Sequence, residues 1–230
     1  MHHVRYTLFH PQYLAYRFEH RRYKLVANEA AGKILDIGCG RQPLRKYIKT
    51  SCDYYSLDYP MTGKKLYAAR PDVFGDAHKL PFANGSFDTI VMLEVLEHLT
   101  DPYFALQEAR RIVSPGGCII ISTPFLYPIH DAPGDYTRWT YHGLQHLTRK
   151  SGLAIRRSVV FGNAIESSVL LFNLSLAWQM LHVSPLALLP LAVLTFIVVP
   201  LFNLLAIIGS QSPESSSSTP FAVGYLLVLD

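Results

Sequence analysis

Asp36 stands two residues before the turn Gly38-Cys39-Gly40, and Asp58 follows about 20 residues after the glycines. Two glycines in a short turn let backbone approach a ligand, and a carboxylate ending the next strand can accept both hydroxyls of a ribose. Gly75-Asp76-Ala77, followed by Leu80-Pro81-Phe82, offers another carboxylate and an apolar wall for a purine. Further along, LEVLEHL brings Glu94, Glu97 and His98 within one helical turn, close enough to cluster. Such a cluster either holds a divalent metal or fixes its loop by local hydrogen bonds; the second is expected here, with no metal. FLYPIHDAPGDYTRWT, Phe125 to Thr140, is dense in groups able to touch a substrate. His130 is the candidate general base, because imidazole exchanges protons near neutral pH. Asp131, Asp135, Tyr136 and Arg138 would orient it or bind substrate, and Trp139 would wall the site.

The elements needed to position these groups are visible in the hydrophobic period. Pro11 to Ala31 reads as a helix closed by Gly32. KILDIG is a short apolar run ending in glycine, as a buried parallel strand should be. A basic helix is predicted near Pro43 to Thr50, then strands at DYYSLDY, at Asp72–Gly75 and at FDTIVML. Asp101-Pro102 opens a helix to Val113 with Asp101 placed as its cap. Pro115-Gly116-Gly117 turns into the strand CIIISTP, TYHGLQHLTRKSG is a helix with a glycine stop, and LAIRRSVVFG is a sixth strand. This alternation predicts a doubly wound, mostly parallel α/β sheet. A GxGxxG dinucleotide site is disfavoured, because Pro43 occupies the third glycine position and Asp36 lies inside a strand such sites keep apolar. No Gly-Lys-Ser/Thr run marks a P-loop either.

As a set, ILDIGCG, SLD, GDAHKLPF, FDTIVMLEVLEHL and PGGCIIISTP resemble the successive motifs of class I S-adenosylmethionine-dependent methyltransferases, over roughly Ala31 to Thr123. The resemblance implies S-adenosylmethionine as cofactor, with Asp36, Gly38, Cys39 and Gly40 around its methionine part. It further implies Asp58 on the ribose, Asp76 and Ala77 at the adenine, and Leu93 and Glu94 facing the methyl-bearing sulfonium. One departure is Gln42, where the family often has a third glycine. Some ubiquinone-biosynthesis O-methyltransferases, which LEVLEHL resembles, are thought to hold a divalent metal there, and many relatives hold none. In the family the last strand runs antiparallel between the fifth and sixth, which FAVGYLLVL, Phe221 to Leu229, fits. The implied fold is a Rossmann-like, seven-stranded sheet with an apolar helical hairpin inserted before the last strand. The expected organisation is an N-terminal helical segment over 1–31, the methyltransferase domain over 32–162 and 221–230, and the insertion over 163–220.

Charge divides along the chain. All 21 Lys and Arg lie at or before Arg157, and only Glu166, Glu214 and Asp230 follow as acids, so the part up to Arg157 carries +7 of formal charge. A basic body beside an apolar segment suits an anionic membrane surface, though nucleic acid or an acidic substrate would suit the charge alone. No target-recognition segment for nucleic acid is visible. Cys39, Cys52 and Cys118 show no metal-ligand spacing and read as free thiols of a reducing compartment. The N-terminus lacks the apolar core of a secretory signal and reads as an amphipathic helix.

Leu191 to Ile208, LAVLTFIVVPLFNLLAII, is apolar enough for lipid. Ile165 to His182 reads as one helix, His182-Val183-Ser184-Pro185 as a break, and Leu186 to Ile208 as a second helix kinked by Pro190 and Pro200. Ser212 to Pro220 reads as a Ser-rich linker. A lone span would strand the last strand across the membrane, so the insertion is expected to be a hairpin through the bilayer or one lodged in a single leaflet. Its tip carries no Lys or Arg, which puts the body on the cytoplasmic face. A soluble helical cap or dimer contact is the competing reading. The sequence thus predicts a membrane-associated methyltransferase, O-methylating a lipid-linked or membrane-associated small molecule such as a polyprenyl-linked glycan intermediate or a quinone precursor. A soluble-metabolite methyltransferase with the hairpin as anchor, or an idle cofactor-binding scaffold, are the alternatives. Oligomeric state is not legible.

Overall fold

KILDI, FDTIVML and the CIIISTP run are apolar along almost their whole length, as strands covered on both faces have to be. The computed structural model, which describes residues 4–210 and 220–230, places all three at the centre of a seven-stranded sheet. Its strands are β1 (Lys33–Ile37), β2 (Asp53–Asp58), β3 (Val73–Phe74), β4 (Phe87–Leu93), β5 (Val113–Pro124), β6 (Ile155–Phe161) and β7 (Gly224–Leu229), in the order β3-β2-β1-β4-β5-β7-β6. β1 to β5 pair in parallel, and β7 runs antiparallel to β5 with Ile119 opposite Leu229 and Pro124 opposite Gly224. β7 meets β6 with the same sense reversal: Ala154 exchanges both backbone bonds with Asp230, and Val223 donates to Phe161. The predicted doubly wound sheet and its inserted last strand are therefore what the chain forms.

The sheet grows outward from β1 in both directions. The chain passes from β1 to β2 and β3 on one side, then returns to place β4 and β5 on the other. The carboxyl ends of β1 and β4 thus flank the point where strand order reverses, the place where α/β sheets bind ligands. The core lies here, with Ile34, Leu35, Ile90, Met92, Ile120 and Leu227 essentially inaccessible.

Helix α1 is Tyr13–Glu29, α2 the single turn Pro60–Thr62, α3 Pro102–Ile112 and α4 Tyr141–Lys150. Asp101 caps α3 as predicted, accepting from the amides of Tyr103 and Phe104, and Thr140 caps α4 through the amide of Gly143. Several boundaries differ from the sequence reading. The basic helix is only a 3-10 turn, Pro43–Lys46, because Leu44 is its single buried side chain and no apolar stripe continues. The third strand shrinks to two residues. The fifth begins at Val113 and runs through Pro115-Gly116-Gly117, with a register shift opposite Phe87 to Thr89 absorbing the turn residues. The last strand starts at Gly224 rather than Phe221.

The chain forms two compact units: residues 23–125, 129–159 and 224–230, and residues 1–22, 126–128 and 160–223. The second contains the insertion, α5 (Ala164–Met180) and α6 (Pro185–Gly209). These two pack as an antiparallel pair, with Phe172 against Phe202 at 5.1 Å and Asn173 Nδ2 donating to Asn203 Oδ1 at 3.0 Å. Glu166 is buried beside Arg17, 3.8 Å away, and burial raises its carboxyl above the ordinary range against the pull of that guanidinium. Met1–His3 and most of the Ser-rich stretch, residues 211–219, lie outside the described residues.

Candidate active site

The turn after β1 is built by backbone needs. Gly38 has φ +73°, and a Cβ there would lie 2.5 Å from Val95 Cγ2, so both conformation and space require glycine. Gly40 has φ +52°, and a Cβ there would meet nothing within 4 Å. The first glycine is locked by packing; the second opens on empty space, the cradle a ligand's close approach calls for. Gln42, the residue that departs from the family pattern, has φ +56°, the left-handed region that favours glycine. Its side chain donates to the Arg70 carbonyl at 2.6 Å and accepts from Arg45 at 3.1 Å. The backbone there takes a shape glycine adopts without strain, and those two bonds offset the strain of a side chain.

Asp58 closes the turn from the end of β2. One carboxylate oxygen accepts from the Gly40 amide and the other from the Tyr59 amide, each at 2.7 Å. Burial raises its pKa, opposed by those two amides. Oδ1 keeps a further lone pair, while Oδ2 is also met by the weakly donating Cys39 thiol at 3.9 Å, a contact a ribose hydroxyl can replace. Asp36 lies in β1, buried, with the Tyr54 hydroxyl donating to it. Burial pushes Asp36 up to about 7, helped by the nearby Asp58 charge and opposed by the Tyr54 bond. Cys39 is also buried, and burial with the charges of Asp36 and Asp58 pushes its thiol up to about 12. A thiol held protonated is no nucleophile.

Further out on the same edge, Asp76 follows β3. Its carboxylate accepts from the His78 amide and the His78 ring, at 2.8 and 2.7 Å. Partial burial works against ionisation, but these bonds together hold Asp76 below the usual carboxylate range. The Asp101 amide donates to His78 Nε2, so the ring's proton sits on Nδ1, toward Asp76. Ala77 is buried beside it. The parallel register carries Asp76, Asp58, Gly38 and Glu94 to one edge of the sheet, as the sequence reading requires.

The acceptor side is made of side chains. Leu93 ends β4, half-buried, and Glu94 leaves it with φ +54°, its carboxylate accepting from Ser122 Oγ at 2.8 Å. Glu97 is fully buried on the 3-10 turn Leu96–His98. His98 Nδ1 lies 2.8 Å from the Gly134 carbonyl, which can only accept, so Nε2 carries the lone pair. The His98 and His130 rings meet edge to face at 4.9 Å. Ligand atoms of Glu97, His98 and His130 lie within 4.8 Å of one another, a set able to hold a divalent cation. Glu94, bonded to Ser122, is not part of that set.

His130 is held by Asp135 and Arg138. Its amide donates to Asp135 Oδ2 at 2.9 Å, and its Nδ1 lies 3.4 Å from the same oxygen and 3.3 Å from Arg138 Nη2. Arg138 grips both Asp135 oxygens with its planar fork. That fork holds the buried Asp135 carboxyl down to about 2. Of the predicted catalytic trio, His130 and Arg138 are brought together, while the carboxylate they share is Asp135. Asp131 follows His130 on the same loop, with φ +51° and its carbonyl accepting from the Gly134 amide. Tyr54 was absent from the sequence reading. The signal was there: Tyr54 lies opposite Ile34, two residues before Asp36 on the neighbouring strand, within an aromatic side chain's diagonal reach.

Comparison with known proteins agrees with this edge. Residues 35–121 match a family model described as a methyltransferase domain. A demethylmenaquinone methyltransferase of Renibacterium salmoninarum is 29% identical over 144 residues, covering 57% of this chain and 60% of the relative. A ubiquinone biosynthesis O-methyltransferase of Pseudomonas aeruginosa is 31% identical over 110 residues, covering 42% of this chain and 46% of the relative. The matches thus span less than two thirds of these curated relatives' length. The structure of the YcgJ protein of Bacillus subtilis has the same fold, with a TM-score of 0.52 at 14% identity, covering 91% of this chain and 97% of that one. Over residues 35–121 the chain thus matches a methyltransferase domain of the class I S-adenosylmethionine-dependent type, which implies S-adenosylmethionine as its cofactor.

Proposed function

We propose that the protein transfers a methyl group to a hydroxyl of a membrane-associated or lipid-linked small molecule, at the cytoplasmic face of a membrane. When bound, S-adenosylmethionine supplies the methyl as a sulfonium electrophile. Asp58 takes the ribose hydroxyls, Gly40 leaves room for close approach, and Glu94 and Leu93 border the reacting end. The observation that carries the reading is His130, held by Asp135 and Arg138 on the loop that leaves β5. For Nε2 to take the acceptor hydroxyl's proton as its oxygen attacks in line, Nδ1 has to turn its own proton to Asp135 Oδ2 at 3.4 Å rather than accept from Arg138 Nη2 at 3.3 Å, since a guanidinium only donates. Relatives named for demethylmenaquinone and ubiquinone biosynthesis support a lipid-soluble acceptor, and so does the apolar insertion.

The His130→Ala variant, assayed on membrane lipid extracts for gain of one methyl, is expected to lose about 10²- to 10⁴-fold in turnover while binding S-adenosylmethionine as the parent does. Full turnover in that variant would overturn the role of His130. A second reading is favoured by the convergence of Glu97, His98 and His130: a divalent cation there would bind and acidify the hydroxyl. Chelation separates the two, abolishing turnover only if the cation is required.

A further inference from the structure

Helix α6 has two unlike halves. Toward its C-terminal end one stripe, Thr195, Val199, Asn203 and Ala206, is buried, while Leu201, Leu205 and Ile208 on its other faces stay exposed. Asn203 is fully inaccessible: its Nδ2 donates to the carbonyls of Leu8 and His10 at 2.7 and 3.3 Å, and its Oδ1 accepts from Asn173. Phe9 stacks on Phe196 at 5.1 Å. A stretch of N-terminal chain is therefore pinned along this half of the helix. That stretch mixes aromatic with polar groups: Arg5 lies over the Tyr16 ring, and Gln12 bonds to Tyr16 and Tyr127. Polar and guanidinium-bearing chain belongs in water or among headgroups, not in hydrocarbon.

The other half is bare. Every residue from Ser184 to Pro190 is exposed, Leu186 to 91%. Pro185 to Leu194, PLALLPLAVL, has no polar side chain on any face. A helix apolar all round and uncovered fits lipid, not water. Ten residues of helix span about 15 Å, half of a hydrocarbon core about 30 Å thick. The start of the helix is also suited to lipid. Pro185 has no N–H, and Ala187 and Leu188 both donate to the Ser184 carbonyl, at 3.0 and 3.1 Å.

We infer that the insertion enters one leaflet of the bilayer and does not cross it. Pro185 to Leu194 is the plug, while the N-terminal stretch with Tyr6, Phe9 and Arg5 lies at headgroup depth and sets how far the plug can sink. The inference rests on the membrane association proposed above and adds the depth. It also fits an enzyme that draws its acceptor from the leaflet it enters.

The test uses the full chain with Ser184→Cys, a position whose side chain makes no capping bond. The protein is mixed with vesicles of phosphatidylethanolamine and phosphatidylglycerol, floated, and treated with a membrane-impermeant maleimide added outside, enclosed inside, or after detergent. The thiol added to the parent's three is expected to react only after detergent. Reaction with the enclosed reagent means the tip crosses the bilayer, and reaction with the outer reagent means it lies in water; either overturns single-leaflet insertion while membrane binding stands. A chain that fails to float with vesicles removes the membrane reading itself and this inference with it.

Discussion

The two sides of the carboxyl edge are made in different ways. On the proposed cofactor side, Gly38, Gly40 and Gln42 act through backbone shape, and the Asp58 carboxylate is tied to two amides. On the acceptor side, Glu97, His98, His130, Asp135 and Arg138 meet through side chains borne on two loops. The difference teaches where variation is tolerated. A cradle of backbone admits few residue types but takes the same ligand in many chains, while a side-chain cluster can be rebuilt for another acceptor without disturbing the donor.

The largest effect expected from breaking this contrast is at Gly38. Gly38→Ala should weaken S-adenosylmethionine binding at least about a hundredfold, since the new methyl meets Val95 and the left-handed backbone resists a side chain. Adding Val95→Ala should restore only part, because it relieves the contact and not the φ; calorimetric titration of both variants checks this. A step smaller is Arg138→Lys, which keeps the charge and loses the fork on Asp135. Turnover should fall about ten- to a hundredfold at unchanged cofactor affinity. If cofactor binding falls equally, the two sides are not separable.

Asp36 sharpens the comparison through pH. Its pKa lies near 7 in the folded chain against 3.8 for the unfolded group, so between those values the folded chain holds a proton the unfolded chain has lost. Its contribution is fully present below the unfolded value and is lost as pH rises through about 7. Asp36→Asn should therefore flatten the fall in stability from pH 5 to pH 8, read from denaturation midpoints. Asp135 has the opposite sign: its contribution is present above the unfolded pKa and fades as pH falls toward about 2. The smallest effect is expected at Gln42. Gln42→Gly should change stability by no more than about 1 kcal/mol, the relief of a left-handed residue offsetting two lost hydrogen bonds.

What the sequence disclosed follows the same division. The cofactor edge was legible because glycine and in-strand aspartate report directly on local backbone, and the strands because buried parallel strands are short apolar runs. The register shift that lets β5 begin at Val113 depends on pairing with Phe87, which no local pattern records. The acceptor side was legible only as a list of reactive residues. That Asp135 and Arg138 lie against His130 depends on how a loop closes, which residue types alone do not record. Asn203 reads in sequence as a blemish in an apolar run; only the fold shows it binding the N-terminal chain.

Calorimetric titration of the full detergent-solubilised chain with S-adenosylmethionine probes the central claim most directly. The parent is expected to bind one equivalent, and Asp58→Ala to bind at least about tenfold more weakly, as loss of a charged hydrogen-bonding partner requires. A parent chain that gives no binding heat at several temperatures, or an Asp58→Ala variant that binds as tightly as the parent, would contradict the account.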